Sequence, residues 1–322
     1  MMRTLSSDTT SQTLSYSDYT VGWICALPIE LAAAQAMLDE VHDSLPAREY
    51  DDNTYVLGRI FCHNVVLTCL PTGIYGPVTA ATVATRMLST FQSIRFGLMV
   101  GIGGGVPSQA DIRLGDVVVS KPTKHFGGVV QCGTDFELTS TLNNPPHALL
   151  NALTKLRADH LIRGNRISEF VSTMLDKYPI LRDSVAPCEA DRLFRADYEH
   201  PSASRSCNSC DKSYEVNRTP RASSSPQAHY GRIASITQVM KNGVTRDRIA
   251  QRLGNLCFEM EAAGLMDNFP CLVIRGISDY ADSHKNDHWH GYAAATAAAY
   301  ARELLSVVPR KEVTSERAAS RL

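Results

Sequence analysis

Carboxylates cluster where apolar strand-like runs end. In "CFEMEAAG" Glu259 and Glu261 stand at the mouth of an apolar helix, and in "CLVIRGISDYAD" a strongly apolar strand delivers Arg275, Ser278 and Asp279 to a polar loop. A half-buried carboxylate is costly unless it binds something, so this arrangement has the character of a site. A carboxylate in the Glu259 to Glu261 stretch can accept hydrogen bonds from two vicinal hydroxyls, as sugar binding requires. Partial desolvation would let Asp279 hold a proton near neutral pH and act as a general acid. Its purely structural alternative is an N-cap or a loop turn.

Other strand ends add candidates. "ALPIE" brings Glu30 to the start of a helix, where it could serve chemistry or simply complement the helix dipole. "PTGIYGP", containing Gly73, and "GIGGGVP", containing Gly103, are turns where a backbone can approach a ligand closely. The second lacks the third glycine of a dinucleotide fingerprint, and no phosphate-loop pattern with Gly-Lys-Ser/Thr occurs. Cys207-x-x-Cys210, flanked by His200 and His229, could be half a zinc site, but a single pair without a second is weak, and no metal is expected. The histidines of "DSHKNDHWHG" read as exposed loop residues, and the alanine and tyrosine stripe of "YAAATAAAYARELL" as core packing.

The elements that must position these residues alternate in type. "TVGWICAL" (20–27) reads as a buried strand and residues 29–42 as a helix, followed by a hairpin turning about Cys62-His63. A helix over 76–91, a strand over 96–102 and another over 115–122 come next, then helical pattern from 145 to 182. Residues 187–229 are polar, broken by Pro and Ser, and read as a long insertion. Strand, helix, strand, helix, strand, helix then follow, the first of these strands running over "YGRIASITQVM". This order predicts an α/β domain, a three-layer sandwich around a mixed, mostly parallel sheet, over residues 19–309, with disordered tails at 1–18 and 310–322.

Composition sets the remaining bounds. With 322 residues, 44% apolar and 20% charged, the chain can bury a sizeable core. A formal net charge of -1 gives no electrostatic case for nucleic acid or an anionic membrane. Nine cysteines, mostly within apolar runs, fit small buried hydrophobes in a reducing compartment. The polar N-terminal stretch lacks a secretory core and no run spans a membrane, so the cytoplasm is the expected location. Asn217-Arg218-Thr219 matches a glycosylation pattern by chance.

Taken in order, "ALPIE", "TGIYGPVTAA", "GIGGGV", "RLGDVVVS", "IASITQVM", "FEMEAAG" and "VIRGISDYAD" resemble the nucleoside phosphorylase and nucleosidase superfamily, particularly methylthioadenosine/S-adenosylhomocysteine nucleosidases and the nucleosidase-like domains of fungal proteins. The resemblance covers roughly residues 19 to 136 and 229 to 307. It implies that Asp279 protonates a purine at N7, that Glu261 binds the ribose hydroxyls with Met260 packed on the sugar, and that Glu30, helped by Arg275, activates water. Val239 and Met240, in the strand that lies along the base in relatives, would contact the purine. Glu259, Ser278, Gly73 and Gly103 complete the expected binding set. The implied partner is a small nucleoside in a homo-oligomer, and no cofactor is required.

Phosphorylases of that superfamily place arginines in the loop after the first strand and before the glycine turn. Here those segments are "ALPIEL" and "LMVGI", without a cation, so phosphate would be poorly held and water is the expected nucleophile. Phosphorolysis and a catalytically weak nucleoside-sensing module are the alternatives. Three departures stand out: Ile236-Thr237 where relatives often carry Gly-Asn or Gly-Asp, Ile102 where many have Ser, and the insertion itself.

Overall fold

Runs rich in Val and Ile form the strands, and alanine-rich periodic stretches form the helices that cover them. The computed structural model describes residues 14–121, 128–132, 135–139, 145–186, 189–201, 206–266, 269–310, 313 and 318–321. In chain order the first elements are β1 (Val21–Cys25), α1 (Pro28–Ala36), β2 (Glu40–Val41), β3 (Tyr55–Ile60), β4 (His63–Cys69), α2 (Pro77–Thr90), β5 (Phe96–Gly105) and β6 (Val117–Ser120). Then come β7 (Gly128–Cys132), β8 (Asp135–Thr139), α3 (His147–Arg163), α4 (Ile167–Lys177) and α5 (Arg182–Val185). The chain finishes with β9 (Ala228–Ser235), α6 (Gly243–Leu253), β10 (Asn255–Glu259), α7 (Ala262–Leu265), β11 (Cys271–Asp279) and α8 (His290–Val307).

Among the described residues the strands make one mixed sheet in the order β2-β3-β4-β1-β5-β11-β6-β9-β7-β8. Strands β4, β1, β5 and β11 run parallel, and β6 is antiparallel to β11. β10 lies off this path, parallel to β9 and antiparallel to the glycine-rich end of β5 at Cys257↔Gly105 and Phe258↔Gly104. The strands β5, β11, β6, β9 and β10 therefore close into a ring. One apolar cluster packs α1, α3, α4 and α8 on one face, and a second packs α2 and α7 on the other. The expected α/β layering is the one observed. The alanine and tyrosine stripe of α8 is buried against β5 and β11.

Several boundaries differ from the sequence reading. The helix expected over 29–42 ends at Ala36, because Glu40 and Val41 pair with Arg59 and Gly58 at the sheet edge. The strand expected over 96–102 runs on to Gly105, since pairing with β10 gives the glycine backbone a ladder. Tyr16–Asp18, expected in a disordered tail, forms a 3-10 turn, and Tyr16 packs on Phe91 with ring centroids 5.4 Å apart. At the other end Val313 is buried and the Ala319 N–H donates to the Ile94 carbonyl at 2.8 Å. Residues 1–13, 187–188, 202–205, 311–312, 314–317 and 322 of the expected tails and insertion lie outside the described residues.

Candidate active site

Glu30 sits in the first turn of α1, where Pro28 starts the helix. Its Oε2 accepts from the N–H groups of Ala26 at 2.7 Å and Leu27 at 3.0 Å, so it does serve the helix start. Its Oε1 accepts from the Ile102 N–H at 2.8 Å, tying α1 to β5. Burial raises its pKa, and the Arg275 guanidinium and the three N–H groups offset that only in part. Gly101 makes this approach possible: a Cβ there would stand 2.5 Å from Glu30 Oε1 and 2.6 Å from Arg275 Nη1.

Arg275 projects from β11 with 1% of its side chain exposed, and three carboxyls share its charge. Its Nη2 lies 2.5 Å from Glu259 Oε2 and 3.3 Å from Glu261 Oε2, and Glu30 adds to the same field. Burial opposes the charge, but these anions outweigh it and hold Arg275 protonated. Glu259 Oε2 also accepts from the N–H groups of Glu261 and Ala262, at 3.0 and 2.9 Å, which organises the turn into α7. Glu261 is pushed up to about 7, chiefly by burial and then by Glu259 and Glu30, with Arg275 pulling the other way.

At the far end of β11, Asp279 is fastened differently. Its Oδ1 accepts from the Ala281 N–H at 2.8 Å, and its Oδ2 from the Ser278 hydroxyl at 3.0 Å and the Lys285 ammonium at 2.7 Å. Ala281 adopts the left-handed conformation, φ 52, that aims this N–H back. Burial raises the Asp279 pKa, but Lys285, the Ala281 N–H and Ser278 together outweigh it and hold the carboxyl below its ordinary value. The expectation that desolvation keeps Asp279 protonated near neutral pH is therefore overturned: a buried ion pair replaces the missing water.

One cavity of about 280 Å³ connects both ends. Glu30, Arg275, Glu259 and Glu261 line one part, Asp279 and Lys285 another, and Ile102, Phe258, Met260 and Ile236 supply apolar wall. Residues 275 and 279 are four positions apart on one strand, about 13 Å along it, a span suited to a sugar with an attached base.

Residues 20–308 match the family model for the phosphorylase superfamily. The chain belongs to this superfamily. A Hyaloscypha variabilis nucleotide-binding leucine-rich repeat (NLR)-like protein is 45% identical over 316 residues, covering 96% of this chain but 31% of the relative. The 5'-methylthioadenosine/S-adenosylhomocysteine nucleosidase of Mycobacterium bovis is 25% identical over 300 residues, 90% of this chain and 97% of that protein. The solved 5'-methylthioadenosine/S-adenosylhomocysteine nucleosidase of Colwellia psychrerythraea, in complex with adenine, superposes with a TM-score of 0.57 at 18% identity, covering 90% of this chain and 96% of that one.

Of the residues named from the sequence of this phosphorylase-superfamily chain, Glu30, Arg275, Asp279, Glu261, Met260, Glu259, Val239, Met240 and Gly103 line the cavity. Val239 and Met240 do so from a loop, not a strand, because β9 stops at Ser235 and the backbone then turns towards α6. Gly73 does not line it; with φ 82 and no atom within 4 Å of a Cβ position, it is a turn glycine. Ser278 reaches the site only through Asp279. The "DSHKNDHWHG" histidines are not exposed: the His284 and His290 side chains keep 7% and 22% of their surface, because the loop folds back over β11. His290 lines the cavity, and burial lowers its pKa and favours the neutral ring. Sequence reasoning missed Lys285, which follows Asp279 across an irregular turn and carries no periodic signal.

Proposed function

We propose that this chain is a purine nucleosidase, hydrolysing the N-glycosidic bond of a purine ribonucleoside to free base and ribose. The observation that carries this reading is the single cavity that joins a carboxylate cluster around Arg275 to the Asp279–Lys285 pair. Breaking the bond requires charge neutralisation on the departing base and a nucleophile at the sugar carbon. Glu261 accepts hydrogen bonds from the ribose hydroxyls, and Met260 packs on the ring. Glu30, its basicity raised by burial, takes a proton from water as that water attacks. As negative charge grows on the base, its N7 takes the proton held between Lys285 and Asp279, and the base leaves neutral.

Water is favoured over phosphate by charge. Around Glu30 the cation present among the described cavity residues is Arg275, already shared by Glu259, Glu261 and Glu30, so a phosphate would face carboxylates without a free partner. The relatives described as nucleosidases support hydrolysis. A second reading, nucleoside sensing with little turnover, draws on the NLR-like relative, of which this chain spans 31%. A homo-oligomer is proposed as well: Tyr75, which lines the cavity, is 45% exposed and nearby Val78 80%, and light scattering measures the assembly.

Chromatography of free base from adenosine, inosine, guanosine, uridine and methylthioadenosine, with and without phosphate, tests the proposal. Purine release without phosphate, lost in Asp279→Asn, is expected. Release only with phosphate identifies a phosphorylase, and binding without release of any base identifies the sensing module.

A further inference from the structure

The segment before β9 contains few regular elements and a small apolar cluster of Phe194, Cys207 and Cys210 with Tyr198 against it. So little burial leaves a polar excursion of this length short of stabilisation, and small units of that kind commonly rely on a staple. Cys207–Ser209 forms a 3-10 turn capped by the Ser206 hydroxyl, which accepts from the Asn208 N–H at 3.2 Å. Positions i and i+3 of such a turn eclipse, so Cys207 and Cys210 present their sulfurs on the same side.

His200 joins them from the irregular backbone that precedes this turn. One donor atom each from His200, Cys207 and Cys210 lie within 4.8 Å of one another, and both thiols are buried. Tetrahedral zinc holds sulfur and nitrogen donors roughly 3.5 to 3.8 Å apart, so side-chain rotation of about 1 Å closes the set. An independent observation points the same way. The His284 ring lies 5.3 Å from the His200 ring by centroid and stacks on Phe194 at 4.4 Å; its Nδ1 lies 3.6 Å from Asp282 Oδ1, and its Nε2 has no hydrogen-bond partner among the described residues. A buried imidazole with a carboxylate at one nitrogen and the other left over, beside two thiols, is the arrangement in which a carboxylate orients a metal-ligating histidine.

We propose that Cys207, Cys210 and His200 bind a structural zinc ion, with His284 completing the tetrahedron. The thiols bind as thiolates, releasing two protons to solvent, and no redox change is involved. His229, which the sequence also placed near the pair, is engaged elsewhere: its Nε2 lies 2.9 Å from Asp116 Oδ2. The zinc would clip the segment to the loop that follows β11. The His200 N–H already donates to Ser283 Oγ at 2.9 Å, and Lys285 lies one residue beyond His284. The ion therefore acts as an anchor for the loop that brings Lys285 to Asp279, at a distance from the reacting atoms.

Metal analysis of the full chain, purified under reducing conditions without chelator, tests this. About one zinc per chain, surviving desalting and removed by a strong chelator, is expected. Replacement by cobalt(II) should give the near-ultraviolet thiolate-to-cobalt charge-transfer band and the visible bands of a tetrahedral site. Cys207→Ser and Cys210→Ser should each weaken the charge-transfer band, while Cys62→Ser, at an exposed thiol, leaves it intact. The wild-type measurements stand even if a variant fails to fold. A wild-type chain that retains no zinc after incubation with the ion, a cobalt spectrum without thiolate bands, or a Cys207–Cys210 disulfide persisting under reductant overturns the proposal.

Discussion

Lys285 Nζ stands 2.7 Å from Asp279 Oδ2, with the carboxylate 3% and the lysine 27% exposed. This contact sets the resting charge at the end of β11: the pair lowers the Asp279 pKa and raises that of Lys285. Asp279 thus contributes stability that is complete above its ordinary 3.8 and lost as pH falls through its lower folded value. Lys285 contributes stability that is complete below 10.5 and lost as pH rises beyond its higher folded value. Lys285→Met should leave Asp279 buried without its cation and raise its pKa, so that the carboxyl carries the proton in place of the lysine and the alkaline limb of the pH–rate profile moves down. An alkaline limb unchanged in the variant would rule out Lys285 as the partner that matters. Above the carboxyl's pKa, loss of the lysine proton should lower kcat about 10²- to 10⁴-fold, the usual contribution of general acid catalysis.

Glu261 gives an opposite pH signature. Its pKa rises from 4.5 to about 7 on folding, so the folded state favours the protonated form, and stability falls as pH rises from about 4.5 through 7. Thermal melting between pH 5 and 8 should show this decline, and Glu261→Gln should flatten it. The same variant should weaken nucleoside binding, read by calorimetry, because an amide offers one acceptor where the carboxylate offers two. A slope identical in wild type and variant would assign the decline to another group.

Arg275 neutralises a cluster with no other cation close to it among the described cavity residues. Arg275→Met should destabilise the chain by about 3 to 5 kcal/mol, the cost of stranding buried charge after one partner is removed. Urea unfolding measures this directly. Glu261 and Glu30, whose pKa values Arg275 holds down, should then take up protons, so the deficit shrinks as pH is lowered; a pH-independent loss would mean that packing, not charge, is responsible.

Gly104 faces Asp279 from β5, where a Cβ would stand 2.8 Å from both Asp279 Oδ1 and Ala281 Cβ. Gly104→Ala should cost about 1 to 3 kcal/mol of overpacking and displace the carboxyl from the Ala281 N–H. Steady-state kinetics should show kcat falling more than KM rises, since the sugar-binding cluster at Arg275 is left in place. A change confined to KM would place the strain elsewhere.

The sequence by itself determined the elements and the chemistry they carry. Apolar runs such as "VGWIC" and "CLVIRGIS" can hide only in a covered sheet, and costly carboxylates at their ends mark positions that tertiary structure must compensate. Glu30, Glu259, Glu261, Arg275 and Asp279 were legible for that reason. Ionisation was not. Whether Asp279 rests protonated depends on Lys285, six residues away across a turn whose path is set by the left-handed Ala281 and by packing against the segment before β9. Nor could periodicity show that β10 closes a ring against the glycines of β5, because a strand's partner is chosen by contacts distant in the chain. The gathering of His200, His284 and the two thiols has the same origin. Spacing fixes neighbours within a turn, but only the folded chain decides which turns meet.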